Sequence, residues 1–147
     1  MHHFKSLFIL IFLVLILSGC AITGPKYSLI KPSLPMTNPG EGRIFFYRPS
    51  SLGAGIIPDV VVNNEKVGQA KSWGFFYIDR PPGNYEVLLS TEVEKKLTFT
   101  LERRQTRYVR MSVGLGVIVW RVYPELVDQS VGKSEMKELR YIGTKFD

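Results

Sequence analysis

Few side chains in this sequence could carry chemistry. Cysteine occurs once, at Cys20, and the histidines are His2 and His3 alone. If the chain is cut before Cys20, the remainder has no imidazole, and its one thiol lies at the new terminus. His-based triads, Cys–His catalysis and Cys/His metal sites are then excluded together. Without a second cysteine no intrachain disulfide forms, even in an oxidising compartment. The 13 Asp and Glu residues show no close pair that marks acid–base work, so a hydrolase would need a Ser–Lys or carboxylate mechanism. Gly114-Leu115-Gly116 lacks the helix start and the Lys-Ser/Thr pair of a phosphate loop and reads as a bulge or strand bend. Lys95, Lys96, Arg103, Arg104, Arg107 and Arg110 are expected on one hairpin. They form either a patch for phosphate or an acidic polymer or, preferred here, the charges that protect an edge strand. Trp73 follows a polar turn; it is a core residue or, as the sharper reading, an anchor for a ligand or partner.

Cys20 gains its meaning from the segment before it. Lys5 and the amino terminus make a positive head, Leu7 to Leu17 is an 11-residue run without charge, and Ser18 and Gly19 are small. That is the layout of a secretory signal, and the run is too short for the roughly 20 apolar residues of a membrane-spanning helix. Leu17-Ser18-Gly19-Cys20 resembles the bacterial lipobox. The resemblance implies diacylation of Cys20, cleavage before it and acylation of the new terminus. The other readings are an uncleaved anchor and an ordinary cleaved signal. Ala21 follows the cysteine where an Asp would favour the inner membrane, so by similarity to Gram-negative sorting the anchor is expected in the outer membrane, facing the periplasm.

Removing residues 1–19 from the 147 leaves 128, one domain's length. Loss of Lys5 takes the formal charge from +6 to +5. For an exported chain, the polyanions this modest balance could meet are lipid headgroups and wall polymers rather than nucleic acid; the plainer reading is a solvated, slightly basic surface. Residues 20–41 carry Pro25, Pro32, Pro35 and Pro39 without periodicity and read as a flexible tether. Part of this stretch could instead lie on the domain as an edge strand, packed through Tyr27, Leu29 and Ile30.

From residue 42 to 147 the pattern is all-β with a short C-terminal helix: about seven mostly antiparallel strands in a single sandwich. Arg43 to Arg48 is apolar at consecutive positions between its charged ends, as in a central strand or one covered on both faces. Asp59–Asn63 and Lys66–Gln69 flank Asn63-Asn64-Glu65, a hairpin turn whose asparagines tolerate left-handed backbone. Gly74–Asp79 is a further strand, and Pro81-Pro82-Gly83-Asn84 reads as a tight turn. Tyr85/Val87/Leu89, Leu97/Phe99/Leu101 and Val109/Met111/Val113 alternate with polar neighbours, which predicts strands packed on one side only. Val117 to Tyr123 reads as the last strand, ended by Pro124. Asp128 is the expected N-cap of the helix, and residues 141–147 form an edge strand or hang free.

The run Gly42-Arg-Ile-Phe-Phe-Tyr-Arg-Pro-Ser50 resembles the opening of a bacterial lipoprotein family known as domain of unknown function 2846. Val60-Val-Val-Asn-Asn-Glu-Lys-Val-Gly68, Phe75-Phe-Tyr-Ile78, Pro82-Gly83-Asn84-Tyr85, Leu126-Val-Asp128 and Glu138-Leu139-Arg140 are similar in the same order, from about Glu41 to Ile142. The middle part also resembles prealbumin-like and PEGA-type sandwiches of surface proteins. The resemblance implies a tethered β-sandwich and supplies no activity and no catalytic residues.

The expectation is a non-enzymatic, membrane-anchored envelope module without cofactor. Its partner is an envelope protein or an acidic wall or lipid polymer, and its oligomeric state is open. The alternative is a carrier or chaperone-like domain holding lipid or another apolar ligand, which an apolar pocket would favour and a filled core would count against.

Overall fold

The structure is a computed structural model that describes residues 22–90, 95–115 and 120–144. The signal segment with Cys20, the Val117–Val119 part of the expected last strand and the final three residues lie outside them. The chain order is α1 (Tyr27–Ile30), a 3-10 turn (Lys31–Ser33), β1 (Gly42–Tyr47), β2 (Asp59–Val62), β3 (Glu65–Gln69), β4 (Gly74–Arg80), β5 (Gly83–Leu89), β6 (Lys96–Leu101), β7 (Thr106–Leu115), β8 (Trp120–Val127), α2 (Gln129–Glu135) and β9 (Arg140–Tyr141). One sheet has the order β8-β7-β1-β4-β9 and the other β3-β2-β5-β6. β1 runs parallel to β7, and β4 parallel to β9. The other pairs are antiparallel, so the all-β sandwich with its C-terminal helix stands as expected, with nine strands among the described residues against the expected seven or so.

The pleat of β1 explains the layering. Ile44 and Phe46 point between the sheets and join Val60, Val62, Phe76, Val87, Leu89, Leu101, Val109 and Met111 in the main core. Phe45 and Tyr47 point the other way, into a second core with Tyr27, Ile30, Phe75, Tyr108, Met136 and Leu139. All six residues of β1 are buried, because the segment around α1 and the C-terminal helix cover the outer face of the five-stranded sheet. This corrects the reading of β7 as covered on one side: Tyr108 faces away from the main core, as its period-two position requires, yet is only 2 % exposed.

The proline-rich stretch before β1 is therefore not all tether. Tyr27 meets Phe45 and Phe75 edge-on at centroid distances of 5.9 and 5.3 Å, and its backbone N–H donates to the Leu139 carbonyl at 2.8 Å. It packs as a helical turn rather than a strand, and Leu29 stays exposed.

Two further expectations change. The expected four-residue turn Pro81-Pro82-Gly83-Asn84 shrinks to Pro81-Pro82, which joins β4 of one sheet to β5 of the other, and Gly83 and Asn84 already belong to β5. β8 continues through Pro124, which pairs with Met111; β8 is an edge strand, the place where a missing N–H is tolerated. The Asn63-Asn64 hairpin has both residues at positive φ, 46° and 67°, as the turn chemistry requires. Of the two readings of the tail, the edge strand is met at its first residue only: β9 is Arg140–Tyr141, at the edge of the five-stranded sheet.

Gly132 of α2 lies against the Tyr108 ring, where an added Cβ would sit 2.5 Å from two ring carbons. Alanine gains about 1 kcal/mol of helix propensity, whereas overpacking a fixed ring costs roughly 1–3 kcal/mol. The ring of Tyr108 cannot swing away, because β1 and α1 hold it. Gly132→Ala is thus expected to destabilise, by up to about 2 kcal/mol in urea unfolding; a stabilised variant would show that the helix is loosely seated.

Candidate functional site

Strand directions sort the loops into two ends. β1 ends at Tyr47, where β4 begins, and β7 runs alongside β1 and on to Leu115. The 49–58 loop, the 70–73 link, Leu115 and Trp120 thus share one end. The Asn63-Asn64 turn, Pro81-Pro82 and the Arg103-Arg104 turn share the other.

The first end is built on Arg48. It continues the Ile44–Phe46 parity toward the interior and is fully buried. Its Nη1 donates to the carbonyls of Ile56 (2.7 Å) and Ala70 (2.9 Å), and its Nη2 to those of Leu52 (2.6 Å) and Gly53 (2.8 Å). Burial lowers its pKa, but a guanidinium stays charged, and the carbonyl dipoles carry that charge. One side chain thereby ties the 49–58 loop to the link that leads into β4. On that link Trp73 has φ 57°, a left-handed value that is costly for a bulky residue. It is held there from both sides: its N–H donates to the Arg48 carbonyl at 2.8 Å, and its carbonyl accepts from Arg140 at 2.9 Å. Its indole is left 49 % exposed. Beside it, Ile22, Ser51, Ala54, Ile57, Lys71 and Ser72 help to line an open groove of about 680 Å³.

The six cations read as one hairpin do not form one. β6 and β7 belong to different sheets, so Arg103-Arg104 is a crossing. Lys95 and Lys96 start β6 at the Trp73 end, and the crossing lies at the far end of β6, six residues and about 17–20 Å away. Each cation has its own surroundings. Lys96 pairs with Glu86 at 3.4 Å on the edge strand β6, and Lys95 lies over the Tyr123 ring at 4.6 Å. Arg107 donates to the Thr100 carbonyl at 3.1 Å, while Arg103 and Arg104 are exposed in the turn.

Arg110 belongs to a network on the outer face of the five-stranded sheet. It bridges Glu125 (3.0 Å) and Glu135 (2.7 Å), the Ser112 hydroxyl donates to Glu125 at 2.8 Å, and the Tyr47 hydroxyl donates to Glu135. Burial, then Glu135, raises the Tyr47 pKa far above its ordinary value. The serine spends its proton on a carboxylate and the arginine is clamped between two, so the arrangement ties α2 and β8 to β7 without leaving an activated nucleophile. Sequence reasoning missed this network, Arg48 and the groove; only the period-two parity of Arg48 with Ile44 and Phe46 pointed to the second.

The Ser112 hydrogen bond, then Arg110, holds the Glu125 carboxyl below its ordinary pKa. A carboxyl depressed on folding contributes stability that is complete above the unfolded value and is lost as pH falls through the folded one. Stability is therefore expected to drop below about pH 4, and the Glu125→Gln variant to drop less steeply, as urea midpoints at pH 5 and pH 3 would read.

Among the described residues no group of three or more His, Cys, Asp or Glu is placed to hold a metal ion, and no helix is long and apolar enough to cross a membrane. Between the sheets, the described residues form the main core.

Residues 38–121 match the model of the family described as protein of unknown function DUF2846. The chain belongs to this family. The DUF2846 match covers β1 to the start of β8, less than the span of the resemblance seen in the sequence, and leaves α1, α2 and β9, the outer layer, beyond it. Neither a curated protein nor a solved structure matches the chain.

Proposed function

We propose that this DUF2846 protein is an outer-membrane lipoprotein of a Gram-negative envelope. Its sandwich faces the periplasm and acts as a non-enzymatic binding or structural module for an envelope protein or an acidic wall or lipid polymer. The observation that carries this reading is the placement of Cys20: it ends a charged head, an 11-residue apolar run and two small residues. A tether raises the local concentration of partners at the membrane, which a module without its own chemistry needs.

Two acyl chains or more anchor stably, at about 0.8 kcal/mol per buried methylene. In membranes separated by density, the wild-type chain is expected in the outer fraction and in the detergent phase after cloud-point separation. Cys20→Ala should leave the outer fraction at least about tenfold depleted, because it removes the anchor. A wild-type chain recovered from the aqueous phase would overturn the proposal.

A further inference from the structure

The two ends of the sandwich differ in chemistry. At the far end stand Glu65, Lys66, Arg80, Glu102, Arg103 and Arg104. At the other, the loop from Ser50 to Pro58 has no charged residue, and five large apolar side chains are open to solvent: Leu52 (51 %), Ile57 (45 %), Trp73 (49 %), Leu115 (77 %) and Trp120 (38 %). The 49–58 loop joins them. Ile57 and Trp73 line its groove, and on its opposite side Gly53 packs against Trp120, whose Cβ lies 3.2 Å from where a glycine Cβ would be. Charge reaches this end through Lys71, in the groove itself, and through Lys95 and Lys96 on the side of the four-stranded sheet; all three are cations, and none belongs to the loop from Ser50 to Pro58. A solvated loop cluster does not need such a surface.

The path of the chain says what covers it. Ile22 lines the same groove as Trp73, and α1 fixes the following residues to the sheet through Tyr27 and Ile30. Two residues span at most about 7 Å, so the length of chain between Cys20 and Ile22 ties an anchor at Cys20 to this end of the domain. If Cys20 is acylated, its chains enter the bilayer beside Trp73, and the headgroup layer lies against these five side chains. Tryptophan favours that layer, with its ring in apolar surroundings and its N–H near water. The backbone of Trp73 agrees: at φ 57° glycine or asparagine would be less strained, so local stability does not account for an exposed indole there.

We propose that this end is a bilayer-docking surface: Leu52, Ile57, Trp73, Leu115 and Trp120 enter the interfacial layer of the leaflet that holds the acyl chains. The domain then stands on the membrane in one orientation, with its charged end turned away. This rests on the lipid-anchor reading and adds that the domain does not swing freely.

The two tryptophans of the chain are both in the patch, so intrinsic fluorescence reports this surface alone. Mature protein extracted from membranes is reconstituted into phosphatidylethanolamine–phosphatidylglycerol vesicles, with and without phosphatidylcholine brominated at acyl positions near the headgroup. Flotation is measured on the same samples. Docking predicts that bromolipid cuts the emission about twofold, as for interfacial tryptophan, in the wild type and in Trp73→Asn, which keeps Trp120 alone. Leu115→Asp, at a 77 % exposed position, should still float and melt as the wild type but lose most of the quenching. Protein that floats with unquenched emission overturns docking and leaves the anchor standing; protein that does not float overturns both. Tryptophans shielded from acrylamide in native membranes yet untouched by bromolipid assign the surface to a protein partner, which also overturns the proposal.

Discussion

Arg48→Met is expected to lower the unfolding free energy by about 3–5 kcal/mol, the scale of several buried acceptors left unpaired. The guanidinium is fully buried, and no carboxylate faces it; its partners are the carbonyls of Leu52, Gly53, Ile56 and Ala70. Methionine fills much of the volume but satisfies none of them, and the loop must rehydrate or move. Arg48→Lys recovers little, because an ammonium presents a point charge where the planar fork reaches four oxygens in two directions. Urea unfolding reads the loss, and amide exchange should place the excess opening in residues 49–58. A loss below about 1 kcal/mol would mean that the carbonyls find water without cost and that Arg48 does not organise this end.

Tyr27→Ala is expected to cost about 3–5 kcal/mol, the range for an aromatic removed from a core. Tyr27 is 4 % exposed and meets two phenylalanines edge-on. It also holds a hydrogen bond with Tyr108. Behind it the N–H groups of Tyr27 and Ser28 donate to the carbonyls of Leu139 and Lys137, so its loss loosens the C-terminal segment too. The functional consequence is larger than the energy. With α1 in place, the chain is held to the domain from Tyr27, seven residues after the proposed anchor; with α1 released, the nearest firm attachment is β1 at Gly42, 22 residues after Cys20. A coil of that length has an r.m.s. reach of about 25 Å, enough to let the domain turn over. Faster proteolysis between residues 26 and 41, together with the stability loss, would confirm the strap. Unchanged stability would make the whole stretch a tether.

Both predictions concern features that the sequence showed unevenly. The consecutive apolar residues of Arg43–Arg48 announced a strand that is central or covered on both faces, and the asparagine pair announced its hairpin, because each signal is local. The crossings at Pro81-Pro82 and at Arg103-Arg104 were not legible. A proline pair or a polar turn looks the same whether the next strand pairs with the last or joins the other sheet, and that choice is made by contacts far apart in sequence. Misreading the second crossing is what gathered six cations onto one imaginary hairpin. Tyr27 and Ile30 were visible as residues that could pack, but not as a helical turn, since four residues carry too little periodicity. Trp73 was visible as an aromatic after a polar turn, while its left-handed backbone depends on Arg48 and Arg140 from elsewhere in the chain.

The central claim is that the twentieth residue carries fatty chains, and the intact mass of the mature protein tests it most directly. The account predicts a chain that begins at Cys20, heavier than its 128 residues by a diacylglyceryl group on sulfur and an acyl group on nitrogen. It also predicts that labelled palmitate enters the wild type and not Cys20→Ala. A mature chain with a free thiol and no added mass, or one that keeps residues 1–19, would contradict it.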